Sequence, residues 1–284
     1  MRIAIIVITI MILGDLSLYA TDKETKIDPI SSPKKDSKGE DTESLAKAAQ
    51  NPIANMISLP FQNNTNFNAG ADDQTQNILN IQPVIPFDMT PNWNLITRTI
   101  LPVISQPGLN PGMGRKNGIG DMQVSFFLSP KDSGKLVWGI GQIFQVPTAS
   151  DNALGAKKWA TGPTGVALIS KGPWLCGGLI NNIWDFAGNS KRERVNQMLM
   201  QPFVNYNLPS SPGTYLTSSP IITANWTAKS RDRWVIPIGL GIGQILKIGS
   251  QPINVSAATY YNIVRPKNAS DWTIRVQLQF LFPK

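Results

Sequence analysis

The sequence predicts an all-β protein: an antiparallel, up-and-down transmembrane β-barrel of about twelve strands, preceded by a signal peptide and a disordered leader. Three observations predict it. Beyond residue 56, apolar and polar residues alternate along successive segments, as the two faces of a strand require. The connections between these segments are alternately short and long. Tryptophans gather near segment ends, where a membrane barrel carries its aromatic girdles.

Composition limits the chemistry first. The chain has 284 residues, a formal net charge of +8, no histidine and one cysteine, Cys176. A histidine-based triad, a His-ligated metal and an intramolecular disulfide are therefore excluded. No cofactor, no metal and no catalytic residues are expected, and the chain reads as a non-enzyme. Charged residues make up 15%, against roughly 25% in an average soluble domain. The 23 glycines and 22 prolines disfavour long helices. Basic charge alone does not indicate nucleic acid, and no basic helix, zinc knuckle or RNA-binding aromatic signature accompanies it.

Residues 1–20 (MRIAIIVITIMILGDLSLYA) place Arg2 before an apolar run from Ile3 to Leu13, with the small Ala20 at the expected cleavage position. That is the layout of a secretory signal peptide. Its apolar core of about 11 residues is well short of the roughly 20 that a spanning helix needs. An uncleaved anchor is the other reading, and no cysteine follows the run to take a lipid. Residues 21–50 form the leader, rich in Lys, Asp, Glu, Ser and Pro up to residue 45 and too polar to fold on its own. Its end, within 45–57, has the composition of a short helix interrupted by Pro52, a tether at or inside a barrel mouth.

Residues 51–284 are read as the barrel. Strands are expected at about 56–67, 76–87, 93–104, 120–129, 136–147, 159–170, 174–186, 195–207, 214–227, 234–246, 251–264 and 271–282. The last is the clearest. Trp272, Ile274, Val276, Leu278, Phe280 and Phe282 share one face, and Thr273, Arg275, Gln277 and Gln279 the other, until Leu281 breaks the pattern. Met122, Val124, Phe126 and Leu128 alternate with Asp121, Gln123, Ser125 and Ser129 in most of their register. Within 234–246 the string GLGIGQ puts glycine at every second position. This is one face of a strand, because a dinucleotide loop would need a strand-to-helix transition. The even-numbered connections (DMTPN, SPKDSGK, KGP, LPSSPG, KIGSQ) are short, whereas odd ones include ISQPGLNPGMGRKNGI and TASDNALGAKK. Bacterial barrels keep short turns and both termini in the periplasm and long loops outside. The expected girdle is Trp93, Trp138, Trp159, Trp174, Trp226, Trp234 and Trp272.

The runs SLPFQNNTNFN (58–68), TQNILNIQPVIPF (75–87), NWNLITRTILPVISQP (92–107), KWATGPT (158–164), ILKIGSQPINV (245–255) and FLFPK (280–284) resemble a family of Gram-negative outer-membrane barrels. That family is catalogued under meta-pathway phenol degradation or transport, and some members carry the label of the animal peptide neuromedin U. The resemblance covers residues 45–284. It implies a location in the cell outer membrane of a Gram-negative bacterium and uptake of small hydrophobic or aromatic compounds. It brings no catalytic residues.

Arg98, Asp121, Asp185 and Arg275 lie at positions that should face the lumen, either lining a pore or forming ion pairs that fill a plugged interior. The outer loops carry Arg115, Lys116, Lys157, Lys158, Lys191, Arg192, Arg194, Lys229, Arg231, Arg233, Arg265 and Lys267. These are candidates for contacts with lipopolysaccharide phosphates. The expected partners are outer-membrane lipid, lipopolysaccharide and the barrel-assembly machinery. The expected function is passive, energy-independent passage of small hydrophobic or aromatic solutes. A structural or adhesive barrel without transport stays open, as does a soluble periplasmic β-sheet binding protein.

Overall fold

The computed structural model describes residues 37–70, 72–108 and 112–283. The expected signal segment 1–20, and the leader as far as residue 36, lie outside the described residues. From Ile57 onward the chain is nearly all strand. We number twelve spans: β1 (Ile57–Ala69), β2 (Gln74–Ile81 with Val84–Asp88), β3 (Trp93–Gln106), β4 (Lys116–Ile119 with Met122–Pro130), β5 (Leu136–Val146) and β6 (Lys158–Lys171). The remainder are β7 (Trp174–Gly188), β8 (Asn196–Asn207), β9 (Thr214–Ser218 with Ile222–Asn225), β10 (Trp234–Ile248), β11 (Gln251–Val264) and β12 (Trp272–Phe282). Each pairs antiparallel with its sequence neighbours. β1 pairs with β12 from Ile57↔Phe282 to Phe67↔Trp272, so the sheet closes on itself. The fold is a twelve-stranded up-and-down barrel.

The packing is inverted relative to a soluble protein. Ile140, Ile180, Leu240, Ile242, Ile274 and Val276 are exposed on the outer face, while Gln62, Asn64, Ser125, Gln145, Asn205 and Gln279 are buried within. An apolar exterior of this extent fits hydrocarbon, and only a closed sheet can satisfy its backbone groups there. This arrangement makes the fold a transmembrane barrel.

Three spans are interrupted, each beside a proline that lacks the N–H a regular ladder would use. β2 breaks at Gln82–Pro83, β4 breaks at Gly120–Asp121 opposite Pro102, and β9 breaks at Ser219–Ile221 around Pro220. The connections after β2, β4, β6, β8 and β10 lie at one end with the start of β1 and the end of β12. We call this the short-turn end. The opposite, long-loop end carries 107–115, 147–157, 189–195, 226–233 and 265–271. The first connection at that end departs from expectation. Residues 70–73 are as short as the turns opposite, because Asn68, Gly70 and Asp73 take positive φ (58°, 83° and 50°) and reverse the chain tightly.

Helix α1 (Ser37–Gln50) precedes the barrel and begins earlier in the chain than the composition suggests. LAKAAQ supplies strong helix formers, and Pro52 ends the run by disfavouring helical geometry at Asn51. Asn51 Oδ1 then accepts the Ile53 amide at 2.9 Å, which turns the chain inward. Ala46, Ala54 and Met56 pack on Ile245 of β10 and Leu281 of β12. Ile53 packs across the interior on Val84, Ile96, Phe127, Val166 and Leu179. Leu281 breaks the polar inward row for this reason: its apolar side chain meets α1 inside the barrel.

Candidate functional site: the barrel interior

Two of the cavities in the lumen abut each other. The larger, about 510 Å³, lies toward the long-loop end beneath Leu154, Gly155 and Ala156. Its wall mixes Ile78, Ile100, Pro102, Ile104, Leu199 and Ile221 with Asn80, Gln123, Gln145 and Asn181. The smaller, about 160 Å³, is bounded toward the short-turn end by Ala49 to Pro52 of α1 and its turn. Both share Gln62, Gln82, Arg98, Leu179 and Gln201, which form a waist between them.

Arg98 and Arg275 enter the lumen as their parity predicts, and both line the smaller cavity. The β2 break turns Gln82 inward, where its Oε1 accepts from Arg98 Nη2 at 2.7 Å. Arg275 is 8% exposed. Its Nε donates to Asn64 Oδ1 at 2.9 Å, its Nη1 donates to the Ser219 carbonyl at 2.9 Å, and its guanidinium lies 4.6 Å from the Tyr260 ring centre. The β9 break supplies that carbonyl, since Ser219 leaves the ladder and bends inward.

The glycine row of β10 makes this geometry possible. Tyr215 is paired with Gly243, and a Cβ at Gly243 would sit 2.2 Å from its ring. The ring therefore lies flat over β10, and its hydroxyl donates to Asn254 Oδ1 on β11 at 2.8 Å. Tyr260 is paired with Gly239 in the ladder and brings its hydroxyl to 3.3 Å from the Ser219 amide. The glycine alternation was legible, but the use of Gly243 as a bed for Tyr215 was not.

Asp121 and Asp185 do not meet these arginines, so of the two arrangements left open, ion pairs among these four residues are not the one observed. Asp121 lines the upper cavity but accepts the amides of Ala149 and Lys157, which folds loop 147–157 over the opening. Asp185 borders neither cavity and binds Lys158 Nζ at 3.0 Å, Arg194 Nε at 2.8 Å and the Val195 amide at 3.0 Å. Both carboxylates are engaged at the long-loop end, where nearby backbone amides and cations hold them. Among the described residues, no carboxylate pairs with Arg98 or Arg275.

The basic loop residues divide into two groups. Lys158 is 3% exposed within its pair to Asp185 and cannot reach a lipid headgroup. Arg192 is spent on the carbonyls of Asn152, Gly155 and Ala156. Arg233 stacks on Trp226 at 5.6 Å with a buried Nε, and Arg265 pairs with Asp271. Burial of Lys158 corrects its place among the headgroup candidates, whereas Arg192, Arg233 and Arg265 make these contacts while staying partly or fully exposed. Arg115 is exposed while donating to the Thr75 carbonyl, Lys116 faces Asp151 at 3.6 Å, Arg194 is 75% exposed and Arg231 pairs with Asp232. Lys157 is half-buried, and Lys191, Lys229 and Lys267 are exposed with no ion pair among the described residues.

The tryptophans lie where girdles belong. Trp93, Trp138 and Trp174 sit toward the short-turn end, with Trp93 edge-on to Trp138 at 6.0 Å and Trp174 against Tyr206 at 4.7 Å. Trp159, Trp226, Trp234 and Trp272 sit toward the long-loop end, with Trp226 edge-on to Trp234 at 5.5 Å. Trp184 belongs with this second group at 46% exposure, although the poor alternation of β7 hid it in the sequence.

No family model matches the chain, and no curated protein matches it by sequence. By structure it is similar to an outer membrane channel from Pseudomonas putida F1, with a TM-score of 0.61 and 16% identity over 82% of this chain and 96% of that one. Two further barrels are more distant. The β domain of the Bordetella autotransporter BrkA gives a TM-score of 0.41 at 12% identity, covering 80% of this chain and 99% of that one. Outer membrane phospholipase A from Escherichia coli gives 0.39 at 11% identity, covering 86% and 98%. The first match bears out the barrel that the sequence resemblance implies. The phenol-pathway and neuromedin labels gain nothing from it.

Proposed function

We propose that this chain is an outer-membrane channel for passive diffusion of small hydrophobic or aromatic solutes. One observation carries the reading: the interior is a mixed apolar and amide-lined space of about 510 Å³ that continues into a second cavity through a shared waist. Its wall offers Ile78, Ile100, Ile104 and Leu199 to an apolar solute and Asn and Gln to a single polar group. Rings of charge, which give a pore strong ion selectivity, are absent from both linings. The similar Pseudomonas protein is a channel by description, which supports the same reading here. With the short turns in the periplasm, the 510 Å³ cavity is the outer vestibule and α1 sits at the periplasmic mouth.

A catalytic role has no support in the residues. The chain holds no histidine to act as a general base, and its lumenal arginines are held by the amides of Gln82 and Asn64 and by Ser219. For lipopolysaccharide, Lys191, Lys229 and Lys267 remain the best-placed candidates, being exposed at the long-loop end. Binding by the assembly machinery and cleavage of residues 1–20 belong to the same reading.

The test is influx of phenol and toluene into liposomes carrying the refolded full chain. Faster influx than in protein-free vesicles is expected. Equal influx in both would leave a structural or adhesive barrel.

A further inference from the structure

The smaller cavity contains two guanidiniums and no carboxylate. Arg98 and Arg275 both border it, and their protein acceptors are neutral: an amide oxygen each, plus the carbonyl and hydroxyl of Ser219 for Arg275. A cation withdrawn from water needs a counter-charge or a full set of acceptors. Arg275 is 8% exposed and pinned on three sides by Asn64, Ser219 and the Tyr260 ring, so its orientation is fixed before any ligand arrives. Arg98 has Gln82 as its acceptor through Nη2 alone, leaving Nε and Nη1 without protein acceptors among the described residues. The apolar lining residues are Val84, the cross-strand neighbour of Arg98, and Leu179 and Phe203 from β7 and β8. The space is about 160 Å³, close to the ~150 Å³ that holds a single benzene ring in an apolar protein cavity.

From this we propose that the cavity beneath the waist is a binding seat for a single-ring aromatic carboxylate, its carboxylate set between Arg98 and Arg275 and its ring against Val84, Leu179 and Phe203. The seat rests on the channel reading above and gives it a chemical class: the preferred solute carries an anionic head. Planar guanidinium donors match a carboxylate's two oxygens, and the bonds are charge-assisted. The vestibule admits the solute by its ring; the seat holds it by its charge.

The experiment measures calorimetric binding to the refolded full chain in detergent, with benzoate as the probe and methyl benzoate as its uncharged counterpart. Benzoate is expected to bind at least about tenfold tighter than the ester, the scale of one charge-assisted hydrogen bond. Arg98→Gln and Arg275→Gln should each weaken benzoate about tenfold and leave the ester unchanged. Arg98→Lys, which keeps the charge, should recover part of the loss. Heat-modifiable gel migration checks that each variant folds, and Arg98→Gln alone suffices if loss of the Arg275 contacts prevents closure. Equal affinity for acid and ester, or unchanged benzoate affinity in Arg98→Gln, overturns the seat. Phenol and toluene influx is read on the same preparations. Influx without preferential benzoate binding removes the seat and leaves the channel, whereas benzoate binding without influx removes the channel and leaves the seat.

Discussion

A cavity wall made of side chains lying across strands depends on what the strands omit. Gly243 is one such omission, and Gly243→Val would drive a branched side chain into the ring of Tyr215, whose closest atom is 2.2 Å from the Cβ position. The ring would lift off β10 and lose Asn254, at a cost of about 1–3 kcal/mol from overpacking. A lower urea midpoint for unfolding from lipid vesicles is the expected result. Asp185 tests a different balance, since it serves one buried and one exposed cation. Asp185→Ala strands Lys158, which is 3% exposed, and should cost about 3–5 kcal/mol. Arg194→Ala removes a partner that is 75% exposed and should cost less than about 1 kcal/mol. Similar urea midpoints for the two variants would show that burial of Lys158 is not what ties these loops. Parity could place Asp121 and Asp185 on the inner face, but it could not say at what height they sit or which neighbours claim them. Their amide and cation partners come from neighbouring hairpins and their loops, 9 to 36 residues away, which parity does not align.

Among the elements, the strands were the most legible because a period of two survives in nearly every one of them. β7 was the weakest, and there the sequence concealed Trp184. The interruptions in β2, β4 and β9 were not anticipated, although Pro83, Pro102 and Pro220 mark them. A proline in a strand signals a missing bond but not the direction of the bend, and at β9 that direction decides where Arg275 is held. Helix α1 was legible in kind and misplaced in extent, since Ser37 to Ser44 are polar and carry no apolar signal of a docked face. Ala46 is 0% exposed in that docking. Ala46→Arg should unseat the helix, because the side chain cannot be accommodated against Ile245 and Leu281. Higher single-channel conductance with unchanged heat-modifiable migration is expected. An unchanged current would mean that α1 does not restrict the mouth.

At the scale of the whole molecule, the inverted packing sets the cost of polarity on the outside. Ile242, 52% exposed and midway along β10, faces outward, so Ile242→Arg should destabilise the barrel by about 2–4 kcal/mol in vesicles if that height is the bilayer centre. Urea unfolding measures it, and a change within about 0.5 kcal/mol, normal for a water-facing surface position, would argue against lipid there. Strand number and the broad assignment of loop length to the two ends followed from alternation and turn composition. The lumen's contents did not, because they depend on which strands face each other across the barrel. The ladder from Ile57↔Phe282 to Phe67↔Trp272 has one more consequence, and it concerns time. A ribosome makes β1 first and its partner last, so the first strand must wait for nearly the entire chain before one of its edges is paired. During that interval its open edge is a template for any other strand, including another copy of itself. The protein's greatest exposure to misassembly therefore comes before it has a lumen at all.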